Sequence, residues 1–308
     1  MSRKAVVTGG FSYIGGAIAA ELAARGWDVS TLTNRKPPPG SMIASSPLTF
    51  DRDALVSALT GADLFVNTFW IRFPFGGQTF DTAVARSALL AEAAKAAGVG
   101  RFVHLSVSNP DRGLNLGYYA GKHRVEETLR ASGLSCAIVR PTLVVGPNDV
   151  LTNNIAWFLR NFPVFPMPRG GRCRLQPVTL ADTARIAADA AARSEDETVD
   201  AAGPDTVTFR EYVELLASLC GVRRWMPGVP NWASLLGIKL VEPFLDDVTL
   251  TREELLGLEQ ELLISHAPPL GKESALGWLE KNGADLGKRY INDLDRHFRS
   301  ERTQPVTV

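Results

Sequence analysis

The first two-thirds of the chain alternates short apolar segments with amphipathic helical patterns, and this alternation restricts the fold more than any other feature. The strand-like segments are rich in β-branched or aromatic residues: AVVTG (5–9), VSTLT (29–33), DLFVNTF (63–69), RFVHLSVS (101–108) and CAIVRP (136–141). Helical patterns lie between them, over residues 14–25, 52–59, 80–97 and 117–132. Strands separated by helices form βαβ units, so the sequence predicts an α/β fold with a doubly wound parallel sheet.

Charge and cysteine content narrow the class of partner. Lysine plus arginine number 33, as do aspartate plus glutamate, so no net field attracts nucleic acid or an anionic membrane. The three cysteines are far apart, and the four histidines lack ligand spacing, so neither a disulfide framework nor a metal site is expected. No segment approaches the roughly 20 apolar residues of a membrane span. We expect a cytoplasmic protein with a small-molecule partner and neither a nucleic-acid partner nor a membrane span.

The segment AVVTGGFSYIGGAIAAEL, residues 5–22, is predicted to be a strand, a phosphate-binding turn and a helix. Gly9, Ser12 and Gly15 occupy the three positions at which such turns usually carry glycine. The first glycine permits the tight turn, the last allows close packing of the helix, and the helix N-terminus offers N–H groups to a pyrophosphate. Ser12 adds a β-carbon, but its hydroxyl can donate to a phosphate oxygen. The predicted cofactor contacts are Gly9, Gly10, Phe11, Ser12, Tyr13, Ile14 and Gly15.

The residues after the second strand favour NADP(H) over NAD(H). An NAD-preferring site usually offers an acid there to the ribose 2′-hydroxyl, whereas residues 33–36 contain no acid and two cations. Asn34 and Arg35 are therefore predicted to contact the 2′-phosphate. Asp51 follows a further possible strand. It could accept from the adenine amino group or merely cap the helix that begins at Arg52, and the sequence alone favours the cap.

Tyr118 and Lys122 form the pattern with the most chemical content. Their spacing places a phenol and an ammonium group on one helix face, and a neighbouring cation lowers the pKa of a phenol. Such a tyrosine can exchange a proton with a substrate oxygen while a nicotinamide exchanges a hydride with the carbon. Ser108, and less strongly Ser106, follow a strand where a hydroxyl could orient that oxygen. The alternative is a surface tyrosine beside a solvated lysine.

Two aromatic segments are candidates for the substrate pocket. The loop NTFWIRFPFGGQTFD (67–81) contains Trp70 and Phe73, and the later segment that begins at residue 153 contains Asn154 and Trp157. These four residues are predicted to contact a flat or apolar substrate. Packing of the first loop on its own domain is an equally good interpretation.

The last third of the chain is predicted to be helical. Four segments show helical spacing of apolar residues: TFREYVELLASLCGV, NWASLLGIKLVEPFL, TREELLGLEQELL and ADLGKRYINDLDRHF. Thr251 and Glu254 form a capping pattern. We expect a small lid, although NWASLLGIKLVEPFL could also lie on a membrane or in a homodimer interface.

The ordered set VVTGGFSYIGGAIAAEL, DLFVNTFW, RFVHLSVSN, YYAGK, AIVRPTLVVGP and RLQPVTLADTARI resembles the extended and atypical short-chain dehydrogenase/reductases, of the NAD-dependent epimerase/dehydratase type, over roughly residues 4–203. This resemblance implies a Rossmann domain over 1–205, with part of the substrate region at 142–176, and a helical substrate-binding part over 206–308. It implies that Tyr118 and Lys122 are the catalytic pair and Ser108 the active-site serine. The segments it places along the cofactor contain Asn67, Thr68, Arg140, Pro141 and Thr142. It also matches Asp51 to the acid that contacts the adenine, and Lys122 is expected to hold the ribose.

Ser12 and the segments LQPV (175–178) and AGP (202–204) are similar to the atypical branch that contains the NADPH-binding accessory subunit of respiratory complex I and the NmrA-like sensors. The resulting expectation is an NADP(H)-dependent oxidoreductase that acts on a carbonyl, alcohol or activated double bond of an apolar or aromatic molecule. Two alternatives remain open: a non-catalytic NADPH-binding sensor or assembly protein, and an NAD-dependent epimerase or dehydratase, which Arg35 and Lys36 disfavour.

Overall fold

The computed structural model describes residues 2–298, and its elements follow the alternation expected from the sequence. The strands are β1 (Lys4–Thr8), β2 (Asp28–Leu32), β3 (Ala44–Ser46), β4 (Leu64–Asn67), β5 (Arg101–Leu105), β6 (Cys136–Pro141), β7 (Leu143–Val145), β8 (Met167–Pro168), β9 (Arg174–Leu175), β10 (Pro177–Thr179), β11 (Glu197–Ala201), β12 (Val207–Thr208) and β13 (Gly228–Val229). The helices are α1 (Tyr13–Ala24), α2 (Arg52–Leu59), α3 (Phe80–Ala96), α4 (Gly117–Ala131), α5 (Val150–Asn161), α6 (Leu180–Ala192), α7 (Phe209–Leu219), α8 (Asn231–Leu245), α9 (Arg252–Glu259), α10 (Ala275–Asn282) and α11 (Asp293–His297).

A seven-stranded sheet carries the first part of the chain. Its strand order is β11-β6-β5-β4-β1-β2-β3, and every neighbouring pair is parallel. The order reverses between β1 and β4, where the crossovers change direction. Ligands of open parallel sheets bind at the carboxyl ends of the strands near such a point. The predicted fold class is confirmed.

Helix ends in this sheet region follow the glycine signals in the sequence. Each of α1 to α4 is followed by a glycine with φ between +71° and +83°: Gly26, Gly61, Gly98 and Gly133. Glycine adopts this left-handed conformation without the steric cost of a β-carbon, so the chain can turn sharply into the next strand. The next sheet strand begins within three residues of each of these glycines.

The core of the sheet is apolar on both faces, as parallel strands between helix layers require. Phe65 of β4 and Phe102 of β5 are fully buried and meet edge to face with ring centroids 5.2 Å apart. Arg101 of β5 is also buried. Its guanidinium donates to the carbonyl oxygens of Ala190 and Glu195, so it joins the end of α6 to the sheet.

The chain divides into two compact units that interleave along the sequence. Within the described residues, the first unit comprises everything up to Pro141 and returns for Leu180–Ala201. The second comprises Thr142–Thr179 and the chain from Ala202 onward. The first unit contains the seven-stranded sheet with α1 to α4 and α6.

The second unit is mostly helical, with short strand pairs β7 with β10, β8 with β13 and β9 with β12. Its core contains Ile155, Leu159, Tyr212, Leu216 and Leu279. The predicted Thr251–Glu254 capping box is confirmed at the start of α9. The prediction of one helix over 284–298 is wrong: a 3-10 turn ends at residue 285, an extended segment follows, and only α11 is helical. Across residues 2–298, every helix is too short or too polar to cross a bilayer.

Candidate active site

The turn between β1 and α1 needs glycine at three positions. Gly9 has φ +64°, a β-carbon on Gly15 would lie 2.2 Å from the Gly9 carbonyl oxygen, and one on Gly10 would lie 2.7 Å from Thr31 Oγ1. Gly10 donates its N–H to Thr31 Oγ1 at 2.7 Å, so this amide already has a partner. The turn therefore brings the backbone of β1 and α1 closer together than any side chain would permit.

Ser12 is the N-cap residue of α1, but its side chain does not cap the helix. Its backbone is extended, its N–H donates to the Gly9 carbonyl at 2.7 Å, and its hydroxyl makes no capping hydrogen bond. The first turn of α1 carries no acidic residue. No carboxylate in the first turn of α1 therefore neutralises the positive end of the helix dipole. The turn formed by Gly9, Ser12 and Gly15 thus fits an anionic group such as a pyrophosphate.

The ends of β1 and β4 are tied together by a buried hydrogen-bond network. Thr68 donates its N–H to Thr8 Oγ1 at 2.8 Å and its hydroxyl to the Thr8 carbonyl at 2.5 Å. Asn67, fully buried, accepts from Thr8 Oγ1 and from the Phe69 N–H. The side chains of Asn67 and Thr68, which the resemblance predicts to lie along a cofactor, thus fix the strand ends beside the turn.

His104 extends this network to β5, and sequence reasoning missed it. Because Asn67 Oδ1 accepts two hydrogen bonds, its Nδ2 amide points to His104 Nδ1, at 3.3 Å. His104 Nδ1 is then the acceptor and Nε2 carries the proton. Burial and the nearby Lys122 charge hold the pKa of His104 well below its usual value, so the ring is neutral. Nε2 is a buried donor with no partner among the described residues. A lone histidine in the otherwise apolar strand RFVHL was the available signal.

Lys122 is a buried lysine on α4. Its Nζ donates to the Leu105 carbonyl at the end of β5, at 2.6 Å, and lies 4.7 Å from the centre of the Trp70 ring. Burial lowers the pKa of Lys122 from 10.5 to about 7, against the opposing effect of Glu126 one turn further along the helix. The ammonium group therefore changes charge near neutral pH, which is a property of catalytic lysines more often than of structural ones.

Aromatic rings surround Tyr118, one turn before Lys122. Its ring meets Trp70 and Phe80 edge-on at 6.1 Å each, while Trp70 and Phe80 stack at 6.3 Å. Gly121 makes this possible, because a β-carbon there would lie 2.9 Å from the Trp70 ring. The indole N–H of Trp70 is buried and has no partner among the described residues. The structure thus brings the predicted residues Trp70, Tyr118 and Lys122 together.

The serines after β5 and the aromatic loop residue Phe73 are also buried. Ser108 is fully buried and its N–H donates to the Pro141 carbonyl at 3.0 Å. Ser106 Oγ is buried without a partner in the described part of the chain. Phe73 is buried, with the Arg72 guanidinium over its ring. The hydroxyl of Ser106, the indole N–H of Trp70 and the imidazole Nε2 of His104 are thus buried without a hydrogen-bond partner among the described residues.

Glu126, one helical turn after Lys122, forms buried ion pairs that the sequence did not reveal. Glu126, fully buried, accepts a bidentate pair from Arg140 (2.9 and 2.5 Å) and a further bond from Arg130 at 2.9 Å. Tyr118, Lys122, Glu126 and Arg130 follow one another at four-residue spacing and share a helix face. Arg140, which the resemblance places beside the nicotinamide, is engaged by Glu126.

Other predicted cofactor contacts have identifiable partners of their own. Asn34 exchanges two hydrogen bonds of 3.0 Å with the backbone of Leu48, and Arg35 donates its N–H to Thr33 Oγ1. Asp51 caps α2 by accepting from the Ala54 N–H at 2.9 Å, which confirms the capping interpretation. Pro141 ends β6, and Thr142 is buried as the first residue of the second unit.

Asn154 and Trp157 lie in the second unit, on α5. The Asn154 amide donates to the Ile291 carbonyl and accepts from the Ile291 N–H, both at 2.9 Å. The Trp157 ring meets those of Phe158 and Tyr290 edge-on at 5.3 and 5.2 Å. Both residues hold the extended segment near Ile291 against α5, and contact with a substrate stays a prediction. No group of three or more metal-ligating side chains occurs within residues 2–298.

Comparison with known proteins relates these features to a family. Residues 1–147 match the model of the NmrA-like family. Over 189 residues the chain is 26% identical to NADH dehydrogenase [ubiquinone] 1 alpha subcomplex subunit 9, mitochondrial, of Arabidopsis thaliana, covering 57% of this chain and 44% of that protein. Over 170 residues it is 32% identical to ceramide reductase of Caulobacter vibrioides, covering 52% of each. The chain thus spans about half the length, or less, of these relatives.

Solved structures share the fold at low sequence identity. A nucleoside-diphosphate-sugar epimerase from Staphylococcus aureus has a TM-score of 0.70 at 16% identity, over 91% of this chain and all of that one. MoeE5 in complex with UDP-glucuronic acid and NAD has a TM-score of 0.63 at 19% identity, over 74% of this chain and 85% of that one. The glycine turn, the strand order of the sheet and the match of residues 1–147 all point to the same Rossmann-type fold. Through residues 1–147 the chain is therefore similar to the NmrA-like family, and its Rossmann-type fold is the one that these epimerase-related structures share.

Proposed function

We propose that this protein is an NADP(H)-dependent oxidoreductase that transfers a hydride between the nicotinamide and a carbonyl or alcohol carbon, or an activated double bond, of an apolar or aromatic small molecule. The observation that carries the proposal is the buried Lys122, whose pKa is lowered to about 7, one helical turn after Tyr118. Strongly perturbed pKa values cluster at functional sites, which supports a functional role for this lysine.

The cradle of Gly9, Ser12 and Gly15 would hold the pyrophosphate of the cofactor at the N-terminus of α1. Arg35 would contact the 2′-phosphate, and Arg35 with Lys36 makes NADP(H) the preferred nucleotide in this proposal. Support for a nicotinamide dinucleotide comes from MoeE5 and from WbmH of Bordetella bronchiseptica, two structural neighbours that were solved with NAD. We also expect the protein to work in the cytoplasm.

In this proposal Tyr118, assisted by Lys122 and Ser108, would transfer the proton to or from the substrate oxygen. Tyr118 would donate from, or accept at, its phenolic oxygen, while the Lys122 ammonium stabilises the phenolate and contacts the ribose. Ser108 would orient the substrate oxygen, and the partnerless hydroxyl of Ser106 is a second donor. When bound, the nicotinamide supplies or takes up the hydride. Because the charge on Lys122 is lost as pH rises through about 7, reduction assisted by a cationic Lys122 would weaken in mildly alkaline solution.

The rings around Tyr118 set the expected substrate class. Trp70 and Phe80 present an apolar surface directly beside the phenol, which favours a flat or aliphatic group over a sugar nucleotide. The name of the Caulobacter relative, ceramide reductase, joins reduction to a lipid. An epimerase or dehydratase, which needs NAD that stays bound, is disfavoured by the two cations after β2.

A nucleotide-binding subunit without turnover is the second candidate. The Arabidopsis relative is named as a subunit of NADH dehydrogenase, and in this structure Lys122 Nζ donates to a backbone carbonyl. This candidate requires tight nucleotide binding with no hydride exchange.

The test begins with fluorescence titrations of the purified chain with NADPH and NADH. NADPH oxidation is then followed with aromatic and long-chain ketones and aldehydes, using wild type, Tyr118→Phe and the matched control Tyr119→Phe. We expect preference for NADPH, turnover of an apolar carbonyl, and a loss of at least about 100-fold in kcat only for Tyr118→Phe. NADPH binding without turnover of any carbonyl would favour the second candidate, and equal activity of the two variants would refute the role of Tyr118.

A further inference from the structure

Helix α8 of the second unit carries its apolar face on the outside. Trp232, Leu236, Leu240 and Phe244 are 68, 55, 67 and 87% exposed, and they follow one another at four-residue spacing. The opposite side contains the buried Ser234 and partly buried residues such as Leu235, Ile238 and Leu245. In most amphipathic helices the polar side faces water and the apolar side packs against the protein. These four residues, here called the α8 stripe, instead form an exposed apolar surface with no packing partner among the described residues.

The helix is held in this orientation at its C-terminal end. Asn292 donates its amide to the carbonyl oxygens of Leu245 and Asp246, the last groups of α8, at 2.9 and 3.1 Å. Asp247 accepts from the backbone N–H groups of Asp293 and Leu294 at 3.0 Å each. Because these contacts fix the end of the helix, it cannot roll its apolar side inward without breaking them.

The stripe is symmetric about its own midpoint. Read in either direction it runs aromatic, leucine, leucine, aromatic, and its two flanks differ: Lys239 and Pro243 lie on one side, Gly237 and Ala233 on the other. If a second copy of the helix is laid antiparallel across the first, Trp232 faces Phe244 and Leu236 faces Leu240. Equivalent flanks of the two copies then share an edge: Lys239 and Pro243 of both copies lie along one edge, and Ala233 and Gly237 of both lie along the other.

Gly237 is the centre of the small flank. A β-carbon added there would have no atom within 4 Å, so this position opens onto free space in the single chain. Small residues at a helix crossing allow the two backbones to approach closely, and in the antiparallel pair the Gly237 positions of both copies lie along the same edge.

The area of the stripe reaches the minimum for a biological interface. The exposed parts of the four side chains amount to roughly 500 Å² per copy, or on the order of 1,000 Å² for two, which is the area that a biological interface should at least bury. A lipid surface is less favoured, since interfacial helices carry many lysines and arginines, whereas α8 has one lysine, 3.6 Å from Glu242. We propose that the protein forms a two-fold symmetric homodimer through antiparallel contact of the α8 stripe, with Trp232 of each copy against Phe244 of the other.

The oligomeric state of the full chain tests this proposal, independently of any activity. Light scattering behind size exclusion should give twice the mass of one chain for wild type and for Leu114→Glu, a control at an exposed leucine outside α8. Leu236→Glu combined with Leu240→Glu should give one mass, with an unchanged circular dichroism spectrum. A monomeric wild type, or a double variant that stays dimeric, would overturn the proposal. So would a monomeric wild type that binds phosphatidylcholine–phosphatidylglycerol vesicles, which would assign the stripe to a membrane.

Cross-linking tests the antiparallel arrangement even if the double variant misfolds. Trp232→Cys and Phe244→Cys chains, mixed and treated with a short bismaleimide linker, should form the mixed pair. Twelve residues of helix separate these positions by about 18 Å along the axis, so each variant alone should not cross-link to itself. Cross-linking of Trp232→Cys to itself in place of the mixed pair would refute the antiparallel contact.

Discussion

Replacing Lys122 by Met removes an ammonium group that the fold holds away from water, and the cost of that group depends on pH in a calculable way. A pKa of about 7 in the folded state, against 10.5 for an ordinary lysine, corresponds to about 5 kcal/mol of destabilisation of the charged form. Between these two pKa values the unfolded chain binds more protons than the folded one. Stability contributed by this position therefore rises with pH.

The linkage relation gives a destabilisation by Lys122 of about 5 kcal/mol at pH 6 and about 2 kcal/mol at pH 9. Loss of the hydrogen bond to Leu105 would offset part of the gain in the variant, by about 1 to 3 kcal/mol at both pH values. We therefore expect Lys122→Met to be clearly more stable than wild type at pH 6. The advantage should shrink by about 2 to 3 kcal/mol at pH 9, although activity is lost at both.

The measurement is urea denaturation of wild type and Lys122→Met at the two pH values, followed by circular dichroism. Lys36→Met, at an exposed lysine in the same unit, is the control and should show no pH-dependent difference. Other titrating groups are common to both proteins and cancel in the difference. A stability difference between wild type and Lys122→Met that is the same at pH 6 and pH 9 would refute the lowered pKa, and with it the main support for a functional Lys122.

Three further changes test the surrounding structure. Gly15→Ala should abolish nucleotide binding in the titration and lower the thermal midpoint, because its β-carbon would meet the Gly9 carbonyl oxygen at 2.2 Å; retained binding would contradict the close contact of turn and helix. Glu126→Ala should destabilise the protein by about 3 to 5 kcal/mol in urea, since two arginines lose a buried partner, whereas Glu127→Ala on the exposed face should change stability by less than about 1 kcal/mol. Arg35→Glu should reverse the preference between NADPH and NADH in the fluorescence titration, and an unchanged ratio would remove Arg35 from the proposed 2′-phosphate site.

The sequence predicted the parts of the molecule that depend on local pattern. The helices α1 to α4 begin and end within one residue of their predicted bounds, because apolar periodicity and terminal glycines are local signals. The same reasoning joined Tyr118 to Lys122, since helical spacing alone puts them on one face. The same reasoning favoured Asp51 as the cap of α2, because capping is a local signal. A contact between Asp51 and a cofactor would depend on a ligand, which the local sequence pattern does not reveal.

What the sequence missed depends on contacts between distant segments. Glu126 is an unremarkable helix residue until Arg140, on another strand, lies beside it. The protonated nitrogen of His104 is determined by its hydrogen bond with Asn67, which lies 37 residues earlier in the sequence. The extended segment near Ile291 was predicted as helix because its apolar spacing fits one, but Asn154 satisfies its backbone groups from α5 and makes the extended form favourable.

The return of residues 180–201 to the first unit has a consequence for synthesis on the ribosome. Strand β6 pairs on one side with β5 and on the other with β11, whose residue Glu197 is in register with Ala137. Until the chain has grown past Ala201, β6 presents an apolar open edge, because the whole of 142–179 must emerge first. Such an edge can pair with strands of other chains, so the nascent chain passes through a stage that is prone to aggregation.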